Sequence, residues 1–237
     1  MLFIVTRPKT DAVKLMEALQ ARGHQGICSP VIAIVPRSNG EIPQTSYQAV
    51  ALSSANAARA VSGLRDHHRL LHLPAFTVGE QSAAAARAAG FVDIKPAGGD
   101  VEQLAKLIGG ELDPTRGAVL YLSGADTAGD LKGALAAAGF AVDRLVLYDA
   151  LPAEALSIEA AQAIAAGKAA GVLLYSPRSA RIWSDLIQAS GLSQNVRGLR
   201  HYCLSANVAA ALGSDYLTAV ASRPQEDALL TLLDPAR

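Results

Sequence analysis

The strongest constraint on this chain is a long internal repeat. Residues 49–108 and 171–233 show the same order of strand, small polar turn and helix, three times in each copy. AVALSSANAARA at 49–60 corresponds to GVLLYSPRSARI at 171–182, and the later segments follow at a nearly constant separation. A repeat of this length is too long for a solenoid unit. We therefore predict two similar α/β domains with a ligand-binding cleft between them, because clefts at domain boundaries commonly hold ligands.

Composition narrows the function classes. The chain has 237 residues, 51% of them hydrophobic, which is enough for two buried cores. Its 21 basic residues balance its 21 acidic residues, so we predict no nucleic-acid surface. It has neither an apolar run of membrane-spanning length nor a secretory signal pattern. Together with Cys28 and Cys203, which we expect as free thiols in strands, this predicts a cytoplasmic protein without a membrane segment.

The number of predicted strands indicates how the domains are assembled. The second copy of the repeat supplies only three strands, whereas the first copy is followed by two more, at 117–124 and 141–153. The C-terminal domain must therefore take the first two strands of the chain. The predicted organisation is one discontinuous domain of residues 1–33 plus 154–237, an inserted domain of residues 41–146, and two hinge strands, 34–40 and 147–153, that pair as a two-stranded ladder.

Small polar residues follow six of the predicted strands. Alternating strands and helices predict parallel sheets, in which ligands bind beyond the carboxyl ends of the strands. The turns at those ends precede helices, and helix N-termini bind anions well. At any single turn the same residues could act only as helix caps. Six turns together favour an anionic ligand; they are 6–8, 53–56, 79–82, 123–126, 175–179 and 205–207.

Cap residues predict where three helices begin. We expect Thr10 or Asp11 to cap the first helix, which then ends near Gly23. A later helix is predicted from Asp126 to Ala138, followed by Gly139 as its C-terminal cap. Ser157 is expected to begin the helix before the second repeat.

The sequence lacks the common signatures of cofactor and metal chemistry. It contains no Walker A loop and no GxGxxG motif. His67, His68 and His72 have no acidic or cysteine partner at ligand spacing. No serine lies in a nucleophile elbow. We therefore predict no cofactor and no metal, and an enzyme with this sequence would act by binding and orienting its substrate.

Several motifs, in order along nearly the whole chain, resemble those of the uroporphyrinogen-III synthase family. They are TRP at 6–8, SSANAARA at 53–60 with its counterpart SPRSARIW at 176–183, FTVGEQSAAAARAAG at 76–90, LYLSG at 120–124, DLKGALAAAGF at 130–140 and LVLYDALPA at 145–153. The resemblance implies two α/β domains, one inserted in the other, joined by a two-stranded ladder. It also implies cyclisation of hydroxymethylbilane, a linear tetrapyrrole with eight carboxylates, with inversion of ring D, loss of water and no cofactor.

The resemblance also implies site residues. Tyr148 stands where the family has a tyrosine facing the cleft, and we expect it to help the substrate hydroxyl leave because a phenol is a proton donor at neutral pH. Ser205 replaces a glycine common in relatives. Arg7 and Arg178 are expected to pair with substrate carboxylates. The remaining candidates line substrate-binding turns and are Ser54, Asn56, Gly79, Ser82, Gly124, Ser176 and Ser205.

Two other functions stay open from the residues. One is a hinged, non-catalytic module of the same fold that binds a polycarboxylate small molecule. The other is a transferase that uses an activated sugar or nucleotide, although the chain lacks a phosphate loop and an acidic metal pair. The synthase hypothesis predicts a monomer whose partners are the tetrapyrrole substrate and, in a transient contact, hydroxymethylbilane synthase.

Overall fold

The computed structural model describes residues 1–37 and 40–234. The chain divides into two compact units. Unit 1 comprises Met1–Ala33 and Leu151–Arg237, and unit 2 comprises Ile34–Ala150. Ser38 and Asn39, which fall within the predicted hinge at 34–40, lie outside the described residues.

The described residues form eleven strands and nine α-helices. The strands are β1 (Leu2–Val5), β2 (Gln25–Cys28), β3 (Ile32–Pro36), β4 (Tyr47–Leu52), β5 (Ala75–Thr77), β6 (Ile94–Pro96), β7 (Ala118–Gly124), β8 (Val142–Pro152), β9 (Gly171–Leu174), β10 (Arg200–Cys203) and β11 (Leu217–Val220). The helices are α1 (Lys9–Ala21), α2 (Ala55–Ala60), α3 (Glu80–Ala88), α4 (Val101–Glu111), α5 (Leu131–Ala137), α6 (Ile158–Ala165), α7 (Pro177–Ala189), α8 (Ala206–Leu212) and α9 (Glu226–Thr231).

Each unit is built on one sheet, and the two sheets share a strand order. In unit 1 the order is β2-β1-β9-β10-β11, and all four pairs are parallel. In unit 2 the order β8-β7-β4-β5-β6 repeats this arrangement with parallel pairs, and β3 is added beside β8. The predicted α/β fold with two similar parallel sheets is confirmed, and each copy of the repeat supplies three neighbouring strands.

Both faces of each sheet are covered, which explains the nearly continuous apolar runs of the central strands. In β1, Ile4 packs into one hydrophobic cluster while Phe3 and Val5 pack into another. In β7, Leu120 and Leu122 likewise lie on one face, and Val119 and Tyr121 lie on the other. The alternation follows from the two-residue period of a strand.

The strands β3 and β8 are hydrogen-bonded neighbours. The backbone N–H of Arg37 donates to the carbonyl of Leu147 at 2.8 Å. Its guanidinium also donates twice to Asp149, from Nε at 2.8 Å and from Nη2 at 2.7 Å. The long segment predicted at 141–153 is the eleven-residue strand β8. The domain limits and the hinge role of these strands stay predictions.

Two helix starts differ from the sequence-based expectation. α1 begins at Lys9 after Pro8, whose carbonyl accepts from the N–H groups of Asp11 and of Ala12, so neither Thr10 nor Asp11 is its cap. α5 begins five residues later than predicted, because Asp130 and not Asp126 accepts from the N–H of Gly133. The other expectations are confirmed: Ser157 caps α6, and Gly23 and Gly139 have positive φ after α1 and α5.

Three further observations concern chemistry that the fold could support. Cys28 and Cys203 are both unpaired thiols in strands, and burial raises the pKa of Cys203 to about 11. Within residues 1–37 and 40–234 no group of histidine, cysteine and acidic side chains could hold a metal ion. In the same ranges no helix has the length and apolarity needed to cross a bilayer.

Candidate functional site

The carboxyl edge of the unit 2 sheet brings together Tyr148 and Ser54. Ser54 follows β4 and caps α2, where its Oγ accepts from the N–H of Ala57 at 3.1 Å. The same Oγ lies 3.0 Å from the hydroxyl of Tyr148, which extends from β8. The Tyr148 side chain is 8% exposed. A helix cap and a strand tyrosine, 94 residues apart in sequence, thus share one hydrogen bond.

An irregularity in β8 directs Tyr148 toward this position. Ser123 pairs with Val146 and the next residue of β7, Gly124, pairs with Tyr148, so Leu147 is an extra residue on β8. Tyr148 and Leu147 consequently belong to the same hydrophobic cluster, although consecutive strand residues normally point to opposite faces. Bulges of this kind re-aim side chains, often beside functional sites.

Gly124 forms the surface on which the Tyr148 ring lies. A Cβ atom added at Gly124 would be 2.6 Å from Cζ of Tyr148 and 2.8 Å from its hydroxyl oxygen. The backbone N–H of Ala125 donates to the carbonyl of Tyr148 at 2.9 Å. A side chain at position 124 would therefore displace the ring from Ser54.

A second tyrosine–serine pair and an arginine lie at the same edge. The hydroxyl of Tyr121 donates to Oγ of Ser53 at 3.0 Å. Arg144 on β8 donates to Oγ of Ser123 and to the carbonyls of Gly124 and Ala125, and its guanidinium lies 5.9 Å from the centre of the Tyr121 ring. Sequence reasoning missed Tyr121 and Arg144 because both belong to strands, where a polar side chain gives no signal of what it will meet on the neighbouring strand.

The other unit 2 candidates lie in the first turns of two helices. Asn56 is in the first turn of α2, and its Oδ1 accepts from Nη1 of Arg59 at 2.7 Å. Gly79 precedes α3 with extended backbone, and a Cβ added there would meet only the N of Gly99, at 4.0 Å. Ser82 is 4% exposed on the inner face of α3. Gly79 therefore leaves room above the helix N-terminus, whereas the Ser82 side chain is enclosed by the unit.

In unit 1, Arg7 is held by two carboxylates. Its Nη1 donates to Oε2 of Glu226 at 2.7 Å, and its Nη2 lies 3.8 Å from Oδ2 of Asp11. The guanidinium also lies 4.6 Å from the centre of the Tyr175 ring. A substrate carboxylate at Arg7 would compete with Glu226, a residue at the start of α9 that the sequence did not mark.

Tyr175 is the most perturbed tyrosine at the unit 1 edge. Burial, and next the negative charge of Glu226, raise the pKa of its phenol well above the usual range. Its buried hydroxyl lies beside Glu226, which raises its pKa, and Arg7, which lowers it. Tyr175 therefore stays neutral at physiological pH.

The remaining unit 1 candidates flank α7 and α8. Ser176 and Ser179 form a capping box at the start of α7, in which Ser176 Oγ accepts from the N–H of Ser179 at 3.1 Å. Arg178 lies in the first turn of α7. Ser205 precedes α8, and its side chain makes no capping hydrogen bond. Of the ten predicted site residues, the structure places Ser54 and Gly124 in direct contact with Tyr148.

The chain and its structure are similar to those of one family. The family model described as uroporphyrinogen-III synthase HemD matches residues 13–231. The structure of uroporphyrinogen-III synthetase from Helicobacter pylori 26695 has a TM-score of 0.67 at 14% identity, with 98% of this chain and 97% of that chain covered. A mutant uroporphyrinogen III synthase from the extremely thermophilic bacterium Thermus thermophilus has a TM-score of 0.53 at 15% identity, with 98% and 97% covered.

These comparisons differ in what they establish. No curated protein sequence matches the chain. The two solved structures, at such low identity, show a shared fold. The family match extends over most of the sequence, including the first copy of the repeat, all but the last two residues of the second copy and the strand that carries Tyr148. The chain belongs to the uroporphyrinogen-III synthase family.

Proposed function

We propose that the carboxyl edge of the unit 2 sheet carries the chemistry of the family reaction, with Tyr148 as its catalytic residue. The chain is a cyclising lyase of this family, which closes hydroxymethylbilane to uroporphyrinogen III with inversion of ring D and loss of water. The observation that supports the role of Tyr148 is its hydrogen bond to Ser54 above Gly124.

The proposed step is departure of the terminal hydroxyl of the bilane. Tyr148 donates its phenolic proton as the carbon–oxygen bond breaks, so that the hydroxyl leaves as water and positive charge remains on the terminal pyrrole. Ser54 can donate its own hydroxyl hydrogen to the Tyr148 oxygen, since its Oγ already accepts from the N–H of Ala57. The phenolic hydrogen of Tyr148 is then not the one used in the bond to Ser54, and we propose that it is the one donated to the substrate hydroxyl.

Orientation of the chain is the second requirement of the reaction. The bilane closes unaided to the uninverted isomer, so the enzyme must hold ring D where its substituted carbon attacks the terminal methylene. Fixing one geometry of a flexible substrate can supply much of the rate. We propose that the helix N-termini after β4, β5 and β9 hold substrate carboxylates, because their free N–H groups favour anions. The residues assigned to substrate binding are Ser54 and Asn56 after β4, Gly79 and Ser82 after β5, and Ser176 after β9, together with Gly124 at the end of β7 and Ser205 before α8.

The two arginines have different proposed roles within unit 1. Arg178, in the first turn of α7, is proposed to pair with a substrate carboxylate. Arg7 is proposed to do so by exchanging Glu226 for the substrate, because its guanidinium already has a carboxylate partner. The exchange replaces one carboxylate partner of Arg7 by another, so we expect it to contribute little net binding free energy.

We also propose that the chain works as a monomer and receives the bilane in a transient contact with hydroxymethylbilane synthase. The unaided closure of the free bilane supports direct transfer, because a substrate released into solution would partly form the wrong isomer. The two unpaired thiols support a reducing, cytoplasmic location. Sedimentation of the chain alone and with that enzyme would test the monomer and the contact.

The product isomer tests the reaction. Hydroxymethylbilane is generated in situ, the chain is added, and the oxidised uroporphyrins are separated into types I and III. We expect type III to dominate. Type I alone, formed at the uncatalysed rate, would support a non-catalytic module that binds a polycarboxylate.

Tyr148→Phe tests the catalytic residue. We expect kcat to fall at least about 100-fold, the usual contribution of a positioned proton donor, with the fold retained. The matched control is Tyr216→Phe, because Tyr216 hydrogen-bonds Ser184 at 2.8 Å in unit 1, as Tyr148 bonds Ser54 in unit 2. Equal kcat values for the two variants would exclude the role given to Tyr148.

A further inference from the structure

Arg144 makes an unusually complete set of contacts for an exposed strand residue. Its Nε donates to Oγ of Ser123 at 2.9 Å, and its Nη2 donates to the carbonyls of Gly124 and Ala125, each at 2.8 Å. These acceptors belong to three consecutive residues, namely the last two of β7 and the one that follows the strand. The Arg144 guanidinium thus fixes the backbone at the point where the chain leaves the sheet.

The segment that Arg144 holds is also the one under Tyr148. Gly124 lies against the Tyr148 ring, and the N–H of Ala125 donates to the Tyr148 carbonyl. Ser123 Oγ, which accepts from Arg144, is close enough to donate to the Gly124 carbonyl at 2.9 Å. Two residues of β8, Arg144 and Tyr148, therefore hold residues 123–125 through different atoms.

The chemistry of the side chain suits this arrangement. A planar guanidinium presents several donors in fixed directions, whereas a lysine ammonium is a point charge on a flexible stem. Hydrogen bonds from a charged donor are shorter and stronger than neutral ones. Arg144 also lies near the face of Tyr121, at 5.9 Å, and the Tyr121 hydroxyl bonds Ser53, the neighbour of Ser54.

We propose that Arg144 is a positioning residue for the cyclisation. It holds residues 123–125 in the conformation that seats the Tyr148 ring over Gly124 and keeps its hydroxyl within hydrogen-bond distance of Ser54. The proposal rests on the catalytic role of Tyr148 proposed above. Arg144 itself does not contact the reacting atoms.

The effects of a substitution on Tm and on kcat distinguish a positioning role of Arg144 from a merely structural one. Arg144 is exposed, so its loss leaves the packed faces of the unit 2 sheet intact. We expect Arg144→Met to change Tm by no more than about 4 °C. In contrast, a small misplacement of a catalytic group can lower the rate about 100-fold, so we expect kcat to fall about 10- to 100-fold with KM changed less than about threefold.

The first experiment compares three variants in steady-state kinetics. Arg144→Met removes the donors, and Arg144→Lys keeps the charge without the planar arrangement and is expected to have an intermediate kcat. Arg116→Met is the control, because Arg116 is an exposed arginine of the same unit whose side chain has no hydrogen bond among the described residues. A kcat for Arg144→Met within twofold of the Arg116→Met value would overturn the proposal.

The second experiment observes Tyr148 directly. Tyrosines are labelled with carbon-13 at Cζ, and the Tyr148 resonance is assigned by its absence in Tyr148→Phe. We expect Arg144→Met to shift or broaden this resonance and Arg116→Met to leave it unchanged. An unmoved resonance would overturn the positioning by Arg144.

The two experiments together distinguish the two proposals. If Tyr148→Phe keeps full kcat while Arg144→Met still shifts the Tyr148 resonance, the catalytic role of Tyr148 fails but the contact through which Arg144 acts is supported. In the Tyr148→Phe background, Arg144→Met should have little further effect on kcat if it acts through Tyr148. Fully multiplicative effects of the two substitutions would overturn that pathway.

Discussion

The two copies of the repeat each have a serine at the equivalent position, but the two serines make different contacts. Ser54 and Ser176 both follow a central strand and cap the next helix. At Ser176 the third helical residue is Ser179, which completes a capping box. At Ser54 the corresponding residue is Ala57, which has no side-chain hydroxyl and contributes only its backbone N–H. The Ser54 hydroxyl makes its second hydrogen bond with the hydroxyl of Tyr148 instead.

The partner of Ser54 comes from outside the repeat. The strand β8 of unit 2, which lies between β3 and β7, has eleven residues and carries Tyr148, whereas its counterpart in unit 1, the edge strand β2, has four. The residue after β2 is Ser29, which is buried and accepts from the N–H of Ser157. The comparison teaches that the shared strand order provides the scaffold, and that the longer strand β8 provides the tyrosine.

Among the substitutions that compare the two units, the largest effect is expected at Gly124, against which the Tyr148 ring packs. Gly124→Ala places a methyl group 2.6 Å from the ring carbon Cζ of Tyr148, so the ring must move away from Ser54. We expect kcat to fall about 10- to 100-fold. Gly109→Ala is the control, because a Cβ there meets nothing within 4 Å. Product-isomer kinetics on both variants measure the difference, and equal rates would remove Gly124 from the site.

The next largest expected effect is a loss of stability at low pH that depends on a buried histidine of unit 1. His201 is fully buried in unit 1, and burial lowers its pKa from 6.5 to about 4. As the pH falls below 6.5, the unfolded chain binds a proton that the folded chain does not accept until about pH 4. This contribution to the free energy of unfolding is fully present above pH 6.5. It falls by about 1.4 kcal/mol for each pH unit between pH 6.5 and about pH 4.

Denaturant unfolding between pH 7 and pH 5 measures this loss. Replacing His201 by leucine should flatten the pH dependence. Replacing the exposed His68 of unit 2 by glutamine is the control substitution, and we expect it to leave the pH dependence unchanged. A pH dependence unchanged by His201→Leu would assign the acid sensitivity to other groups.

The smallest expected effect compares the two caps directly. Ser54→Ala and Ser176→Ala should each reduce the free energy of unfolding by about 1 kcal/mol, the usual contribution of an N-cap. Ser54→Ala should also lower kcat a few-fold because it removes the partner of Tyr148. Ser176→Ala should act on KM instead, as expected for a substrate-binding turn. A lower kcat in both variants would mean that the two caps share one role.

Local patterns accounted for much of the fold. The spacing of apolar runs and turns located the strands of both repeat copies, and Ser157 and Gly139 marked helix ends correctly. The start of α5 was missed because Asp126 and Asp130 are equally good caps in sequence, and only the folded turn makes Asp130 the one that accepts from Gly133.

Contacts between distant residues were beyond prediction. Glu226 reaches Arg7 across 219 positions, and Tyr148 reaches Ser54 across 94. The sequence around Arg144 indicates only a polar residue in a strand. In the structure its guanidinium hydrogen-bonds the last two residues of β7. Such pairs depend on which strands become neighbours and in what register, and one residue of register decides the face on which a side chain lies.

The sequence by itself determined the α/β class, the two similar sheets, the family and the candidate tyrosine, because periodicity, caps and ordered motifs are local properties of the chain. Only the tertiary structure decided that the extra residue Leu147 turns Tyr148 toward Ser54, that Gly124 must lack a side chain, and that Arg7 already has a partner. The physical reason is that hydrogen bonds and packing act over a few ångströms in space, and strand pairing sets those distances.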